Sequence, residues 1–307
     1  MSTRSIMRDV LIALLPALAV SAAVFGLNVL LVAAVSVLSC VLFEFLAQKY
    51  LLGGPCTVGN LSAAVTGLLL AFNLPSSIPL WLVVVGAFVA IVIGKITFGG
   101  LGKNPFNPAL VGRVFLLISY PVQMTTFPKA LDNSWLDAFS GATPLAVVKG
   151  ADNLASVDFL QMAGGNIPGS LGEVAAAALL LGFLYLLWRK VITWHIPVTV
   201  LGTMALFAFV YAAATGMPSA ALWQYPLFHL VAGGAMLGAI FMATDYSTSP
   251  MTVKGAVIFA VGIGIITMAI RLWGAYPEGM SFAILIMNAC VPLINKYIKP
   301  RRFGVKK

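Results

Sequence analysis

The residue best suited to carry a covalently bound group lies in the stretch DAFSGATPL, which begins at Asp137 and includes Ser140, Gly141, Ala142 and Thr143. The threonine precedes a proline, and residues before proline are driven away from helical toward extended backbone. We therefore expect its hydroxyl to project, with the small Gly141 and Ala142 leaving room beside it. The stretch suits a threonine that a modifying enzyme must reach, although an ordinary Ser/Thr linker would have the same composition.

The stretch GGLGKNPFNPALVGR, residues 99–113, offers a second kind of chemistry. Asn107 followed by Pro108 is typical of a helix N-cap with proline at the first helical position. The free N–H groups and positive dipole end of such a helix suit an anionic or electron-rich ligand. The carboxamides of Asn104 and Asn107 each offer donors and an acceptor, which suits the N–H and C=O edge of a flavin ring. A capped re-entrant turn, in which the asparagines satisfy only backbone groups, is the alternative.

Two charged side chains are further candidates. Arg113 falls inside an apolar segment, where an ionisable group is a functional candidate by default, and it is assigned to ligand binding. Asp245 lies in MATDYSTSPMTVKG, residues 242–255, among hydroxyl-bearing neighbours. Hard oxygens of this kind could coordinate Na⁺. The same residues could instead form a polar turn that ends a helix, with Asp245 paired to Lys254.

Other polar residues receive no role. Glu44, Arg271 and Glu278 fall near predicted helix ends, where long side chains can extend to water. His195 and His229 have no carboxylate or second histidine at a ligand spacing. The sequence shows no nucleotide-binding loop and no Ser/His/Asp arrangement, so no catalytic side chain is assigned. Its three cysteines are too few for a four-thiolate cluster within the chain.

Composition places these residues in a membrane protein. Apolar residues make up 61% of the 307-residue chain and charged residues only 9%, and the mean hydropathy is +1.01. Soluble domains carry about 25% charged residues. The excess of 18 Lys and Arg over 9 Asp and Glu reports membrane orientation rather than an acidic partner. A nucleic-acid partner is excluded, and membrane lipid is expected.

A membrane-spanning helix needs about 20 apolar residues, and on this criterion the sequence predicts an all-α polytopic protein with about ten transmembrane segments. Two of them, 60–73 and 107–120, are short and begin beside Gly, Asn or Pro, which is typical of half-helices. The predicted segments are 9–26, 27–47, 60–73, 78–96, 107–120, 174–190, 194–215, 227–243, 255–271 and 279–297.

Charge asymmetry predicts the orientation. If both termini are cytoplasmic, most lysines and arginines fall on the cytoplasmic side, as the positive-inside rule requires. The chain then divides into a first membrane repeat (1–120), a long extracytoplasmic loop (121–173), a second membrane repeat (174–298) and a basic cytoplasmic tail (299–307). Loops of this length are usually functional or disordered.

An internal repeat supports this division. The stretches TGLLLAFNLPSSIP (66–79) and LGAIFMATDYSTSP (237–250) share a glycine, a serine and a final proline at equal offsets, with Ser77 opposite Thr248. Each is followed by a turn that opens another apolar helix. With five segments per unit the two copies must be inverted, and inverted repeats with interrupted helices usually place a binding site near the midplane.

The combination of DAFSGATPL, GGLGKNPFNPALVGRVFLLISYP, MATDYSTSP and YPEGMSFAILIMN resembles one family of membrane subunits. That family includes the D subunit of the bacterial Rnf complex, an ion-translocating ferredoxin:NAD⁺ oxidoreductase, and the B subunit of the Na⁺-translocating NADH:quinone oxidoreductase. The resemblance implies FMN attached by a flavin transferase through a phosphoester to Thr143, with Asp137, Ser140, Gly141 and Ala142 completing the attachment motif.

The resemblance also implies non-covalent riboflavin near Asn104 and Asn107, and a urea-transporter-like arrangement of the inverted repeats. The implied function is membrane electron transfer in an Rnf complex of the bacterial inner membrane, with Na⁺ or H⁺ translocation coupled to electron flow. Such a protein is not catalytic alone, and its partners are the other Rnf subunits. The FMN loop would lie on the outer face.

Two alternatives stay open. The first is the quinone-reducing relative, from which the chain differs by beginning its first span near residue 9. The second is a urea-transporter-like solute channel without a redox role, in which 121–173 is a mere connector.

Overall fold

The computed structural model describes residues 2–53, 56–128, 140–141, 143–151, 159–164, 167–173, 176–276 and 278–299. Almost all regular structure within these ranges is helical, and the prediction of an all-helical membrane protein is confirmed. Asp137 and Ala142 of the predicted attachment motif lie outside the described residues, as does nearly all of the predicted 299–307 tail.

Two helices of the first part of the chain, those that begin at Thr3 and Pro108, start with a side-chain cap. Ser2 accepts from the backbone N–H of Ser5 (3.3 Å) at the start of the first helix. The elements are α1 (Thr3–Phe25), α2 (Asn28–Ala47, continued as a π-helix over Gln48–Leu52), a 3₁₀ turn (Val58–Asn60), α3 (Ser62–Phe72), α4 (Leu80–Phe88, continued as a π-helix over Val89–Ile96) and α5 (Pro108–Ser119).

The remaining elements follow a connecting segment that holds the only β pairing among the described residues. Its two-residue strands are antiparallel, with Phe127 opposite Gly141 and Pro128 opposite Ser140. The elements are α6 (Pro121–Thr125), β1 (Phe127–Pro128), β2 (Ser140–Gly141), α7 (Pro144–Ala151), α8 (Phe159–Gly164), α9 (Ala176–Trp188), α10 (His195–Ala214), α11 (Ser219–Val231), α12 (Ala235–Leu237, continued as a π-helix over Gly238–Met242), α13 (Val253–Trp273) and α14 (Met280–Tyr297).

Five helices of the described chain are long and apolar enough to cross a membrane, or six if the bent pair of α11 and α12 counts as one span. Each of the ten predicted segments falls on a helix or on this bent pair. Four segments are shorter apolar helices, including α3 and α5, the two predicted as half-helices. The four are Ser62–Phe72, Leu80–Ile96, Pro108–Ser119 and Ala176–Trp188.

Small residues let helices approach each other closely, and many large apolar side chains face outward. Leu38, Leu181 and Leu206 are 67%, 61% and 65% exposed, which suits contact with lipid. Between α2 and α3 the backbones touch, since a Cβ added to Gly67 would lie 2.7 Å from the Val37 Cα. Ser36 Oγ donates to the Gly67 carbonyl across this contact (2.7 Å).

The break between α11 and α12 is a bend of 62°. Gly233 and Gly234 stand in it with φ of 57° and 51°, a left-handed conformation that favours glycine. The Arg271 guanidinium, from the last turn of α13, donates to the carbonyls of His229 (2.6 Å), Ala232 (2.9 Å) and Gly233 (2.6 Å). These carbonyls would otherwise lack partners at a helix end, so Arg271 holds the bend.

The end of the connecting segment is fixed to the membrane helices by backbone bonds. Gly172 N–H donates to the Phe72 carbonyl (2.7 Å), and Leu171 N–H donates to the Leu74 carbonyl (3.1 Å). These bonds occupy the carboxyl end of α3. They position Glu173, which follows directly, over the interior of the protein.

Candidate functional site

Thr143 caps the helix that follows it. The Ala146 N–H donates to Thr143 Oγ1 (3.3 Å) at the start of α7, and Pro144 occupies the first helical position. The threonine is only 6% exposed. The expectation of a projecting hydroxyl is therefore wrong, because the side chain caps α7 and turns back over the helix end instead of out to water.

Thr143 lines a cavity of about 290 Å³, which we call the Thr143 cavity. Apolar walls come from Leu117, Met124 and Phe127. Its polar lining residues are Asn73, Arg113, Thr125, Thr143, Tyr276 and Glu278. The structure thus brings together two residues that the sequence assigned separately, Thr143 and Arg113.

Arg113 is 5% exposed and is held from several elements. Its Nη1 donates to Asn73 Oδ1 (2.8 Å) at the end of α3 and to Ser281 Oγ (2.5 Å) in α14. Its Nη2 forms an ion pair with Glu278 and lies 3.9 Å from Glu173 Oε1. The guanidinium therefore fixes the cavity wall at a junction of α3, α5 and α14.

Two buried carboxyl groups meet beside this arginine. Glu173 is 5% exposed, and its Oε1 lies 3.9 Å from the same Arg113 Nη2 that pairs with Glu278. Burial, and next the Glu278 carboxyl, raise the pKa of Glu173 to about 8. Two carboxyl groups thus converge on one guanidinium nitrogen, and burial favours the protonated form of Glu173.

A second cavity contains the other predicted residues. It has a volume of about 80 Å³ and we call it the Asn107 cavity. Asn104, Asn107 and Asp245 all line it, together with Lys95. Asn107 and Arg113 are both on α5 and are six residues apart, about 9 Å along the helix axis. One helix therefore contributes to both cavities.

Asn107 is the predicted N-cap. Its Oδ1 accepts from the N–H groups of Ala109 (3.1 Å) and Leu110 (3.4 Å), while its Nδ2 donates to the Met242 carbonyl (3.2 Å). Asn104 Nδ2 donates to Ser247 Oγ (3.1 Å). The buried Asn104 Oδ1 has no hydrogen-bond partner, which leaves one acceptor available to a ligand.

Asp245 is held in a polar turn. Its carboxylate accepts from Ser247 N–H (3.3 Å), Ser247 Oγ (3.0 Å) and Thr248 Oγ1 (3.4 Å). The pairing with Lys254 is not among the ion pairs of the part of the chain that the structure describes. The described residues also contain no group of three or more His, Cys, Asp or Glu that could hold a metal ion.

A buried ion pair adjoins the Asn107 cavity. Lys95 Nζ lies 2.6 Å from Glu44 Oε2 and 2.6 Å from Ser62 Oγ. Lys95 is 1% and Glu44 0% exposed. The assignment of Glu44 to a helix end in water is wrong, because this lysine turns inward from the end of α4 and neutralises it.

A family profile described as the NQR2, RnfD, RnfE family matches residues 1–304. The chain belongs to this family. Among relatives, it is 48% identical to the D subunit of the Na⁺-translocating ferredoxin:NAD⁺ oxidoreductase complex of Acetobacterium woodii, over 100% of this chain and 92% of that protein. It is 42% identical to the D subunit of the proton-translocating ferredoxin:NAD⁺ oxidoreductase complex of Clostridium ljungdahlii, over 100% and 93%. The D subunit of an ion-translocating oxidoreductase complex of Cellvibrio japonicus is 38% identical, over 99% and 92%.

In this member of the NQR2, RnfD, RnfE family, sequence reasoning missed Glu173, Glu278 and Arg271. The last two were assigned to helix ends in water, yet Arg271 is 3% exposed and the Glu278 side chain 13%. The available signal was the rule that ionisable residues near membrane segments are functional candidates. If that rule had been applied without the exception for helix ends, it would have selected Arg271 and Glu278.

Proposed function

We propose that this chain is the D subunit of an Rnf complex, an ion-translocating ferredoxin:NAD⁺ oxidoreductase, and that it transfers electrons through FMN attached to Thr143. Family membership over residues 1–304 and the D subunits among the relatives support the complex. The observation that carries the flavin assignment is the position of Thr143, at a helix start and in a cavity with Arg113.

The Thr143 cavity fits a phosphate-linked group. A phosphoester on the threonine would add negative charge at the amino end of α7, where helix N–H groups and dipole favour anions. Pro144 at the first position has no N–H to leave unsatisfied. Arg113 supplies a buried positive charge, and its Nε has no hydrogen-bond partner. When bound, FMN would supply the one- and two-electron chemistry, and the protein its position and electrostatic surroundings.

Burial of Thr143 sets a condition on attachment. The hydroxyl is 6% exposed and engaged by the Ala146 N–H, so the flavin transferase must act while α7 is displaced from this position. The rest of the motif that the transferase recognises would consist of Asp137, Ser140, Gly141 and Ala142. Of these, Ser140 and Gly141 form strand β2, which pairs with β1.

Riboflavin binding by Asn104 and Asn107 is proposed on chemistry alone. The unpartnered Asn104 Oδ1 and the capped helix start suit a ligand with hydrogen-bond donors. The Asn107 cavity is too small for riboflavin, because its volume of about 80 Å³ is far below the ~300 Å³ at which ligand cavities usually begin. We assign no electron-transfer step to this site.

We further propose ten membrane segments in two inverted, urea-transporter-like repeats, with the domain boundaries given above. In the alignment that pairs Ser77 with Thr248, Asn73 corresponds to Thr244. Asn73 ends α3 and lines the Thr143 cavity, while Thr244 follows the π-helix of α12 and lines the Asn107 cavity. Such equivalent positions support an inverted repeat.

Orientation and partners follow from the same proposal. Both termini would face the cytoplasm, and the Thr143 cavity would open toward the outer face of the inner membrane. Electrons would pass between this flavin and carriers held by other Rnf subunits, and the complex would couple their flow to Na⁺ or H⁺. Ferredoxin and NAD⁺ would bind on those other subunits.

Flavin fluorescence on a denaturing gel tests the assignment. A fluorescent band is expected for the wild-type chain from cells that possess the transferase, and a dark band for Thr143→Ala. Thr125→Ala is the matched control, because Thr125 lines the same cavity and should leave the band bright. A dark wild-type band would favour the solute channel, and a bright Thr143→Ala band would move the attachment to another residue.

Sodium binding at Asp245 is tested by turnover of the assembled complex. The carboxylate already accepts three hydrogen bonds, yet it retains lone pairs for a cation. If it binds Na⁺, Asp245→Asn should raise the Na⁺ concentration needed for half-maximal turnover. An unchanged sodium dependence would remove the metal assignment.

A further inference from the structure

The strongest unassigned feature of the chain is the carboxyl pair Glu173–Glu278. The two groups come from different elements, since Glu173 ends the segment before α9 and Glu278 precedes α14. Their side chains are 3% and 13% exposed, and both carboxyl groups approach Nη2 of Arg113. Glu173 Oε1 has no hydrogen-bond partner, although it is buried.

The charges around the pair are positive. Arg113 from α5 contacts both carboxyl groups, and Arg271 from α13 acts on both electrostatically. His229 from α11 lies beside Arg271 (3.5 Å), and Lys149 from α7 donates to the Tyr276 carbonyl. Two guanidinium groups thus face two carboxyl groups, and with Glu173 protonated, as its burial favours, a net positive charge remains in a buried place.

The pair is connected to the Thr143 cavity. Glu278 lines that cavity, whereas Glu173 is not among the lining residues. A Cβ at Gly234 would lie 3.5 Å from Glu173 Oε1 and 3.9 Å from Arg113 Nη1. Of the two carboxyl groups, Glu278 is therefore the one that a proton from the cavity would meet.

We propose that Glu173 and Glu278 form a proton-binding site that responds to the charge of the group held in the Thr143 cavity. This inference rests on the proposed flavin only for the identity of that group. The carboxyl pair and its proton do not depend on it.

In the proposed exchange, one proton is bound for each electron that enters the cavity and is released when the electron leaves. When an electron enters the cavity from a reduced carrier in another part of the complex, the added negative charge stabilises the protonated form of the pair. One proton from water then binds a Glu carboxylate oxygen by way of Glu278. When the electron leaves for the next carrier, the O–H bond breaks and the proton returns to water. Low dielectric surroundings strengthen this coupling.

Infrared spectroscopy of the assembled complex tests the site itself. The wild type should show the carbonyl stretch of a protonated carboxylic acid that shifts in D₂O and disappears as the pH rises through about 8. Glu173→Gln should lack this band, and Thr143→Ala should keep it. Asp9→Asn is the control, because Asp9 is buried, paired with Arg189 (3.1 Å) and not among the residues that line the Thr143 cavity. Absence of the band in the wild type would overturn the proposal.

A redox titration tests the response to charge. In the wild-type complex the midpoint potential of the Thr143 flavin should fall as the pH rises through this range, because reduction takes up a proton. Glu173→Gln and Glu278→Gln should each flatten that dependence, and Asp9→Asn should not. Either variant with a fluorescent flavin and an unchanged dependence would refute proton coupling. A dark wild-type band on the gel would refute the flavin proposal alone, since the infrared band would remain.

Discussion

The two cavities share helix α5 and differ in how their charges are held. At the Asn107 cavity, Lys95 forms one ion pair, with Glu44, and each partner has one further hydrogen bond, Lys95 to Ser62 and Glu44 from Gln48. At the Thr143 cavity, Arg113 serves two carboxyl groups and two neutral acceptors. The first cavity holds the Asp245 carboxyl group beside this neutralised pair, whereas the second carries positive charge that an added group can compensate. That difference favours the Thr143 cavity for an anionic cofactor.

The largest loss of stability is expected when one positive charge is removed from either cavity. Lys95→Met and Arg113→Met each leave a buried carboxylate uncompensated, which costs about 3–5 kcal/mol of stability. Lys95→Met/Glu44→Gln should recover most of the loss, because neither residue has a second ion pair among the described residues. Arg113→Met/Glu278→Gln should recover much less, since Asn73, Ser281 and Glu173 remain without their donor.

The measurement for these variants is the denaturant midpoint of the detergent-solubilised complex. Single variants define the loss, and each double variant defines the recovery. Equal recovery of stability by the two double variants would contradict the distinction between the single Lys95–Glu44 ion pair and the network of contacts around Arg113.

The same residue type can be compared at both cavities. Asn73→Ala removes an acceptor from the buried Arg113, and hydrogen bonds to charged groups contribute about 1.5–3 kcal/mol. Asn107→Ala removes a helix cap, which costs about 1 kcal/mol. Asn107→Ser should keep the cap and lose only the contact with the Met242 carbonyl. A larger destabilisation by Asn107→Ala than by Asn73→Ala, measured by thermal unfolding, would reverse the ranking.

The smallest expected effect concerns Thr143 as a cap. In chains made without the flavin transferase, Thr143→Ala should cost about 1 kcal/mol, whereas Thr143→Ser keeps the capping oxygen. Amide hydrogen exchange at Ala146 and Val147 should become faster in the alanine variant only. Unchanged exchange would mean that the hydroxyl does not stabilise the start of α7.

The positions of the helices could be read from the sequence, because apolar length and the Asn107–Pro108 cap are local signals. The partners of buried charges could not. Glu44 and Lys95 are 51 residues apart, and Arg113 and Glu278 are 165 apart, so hydropathy alone assigned Glu44, Arg271 and Glu278 to water. Burial of Thr143 was also missed, since it depends on Leu117, Met124 and Phe127, which line the same cavity and lie at least 16 residues away along the chain.

The close spacing of Asn107 and Arg113 along α5 has an electrical consequence. Asn107 and Arg113 differ by about 9 Å along the helix, which is at most about a third of a ~30 Å hydrocarbon core. A full crossing costs a unit charge about 2.3 kcal/mol per 100 mV. In the proposed ten-segment arrangement, a charge that passes from one cavity to the other would therefore work against at most roughly 0.7 kcal/mol per 100 mV, and most of the voltage drop would fall outside the pair of cavities.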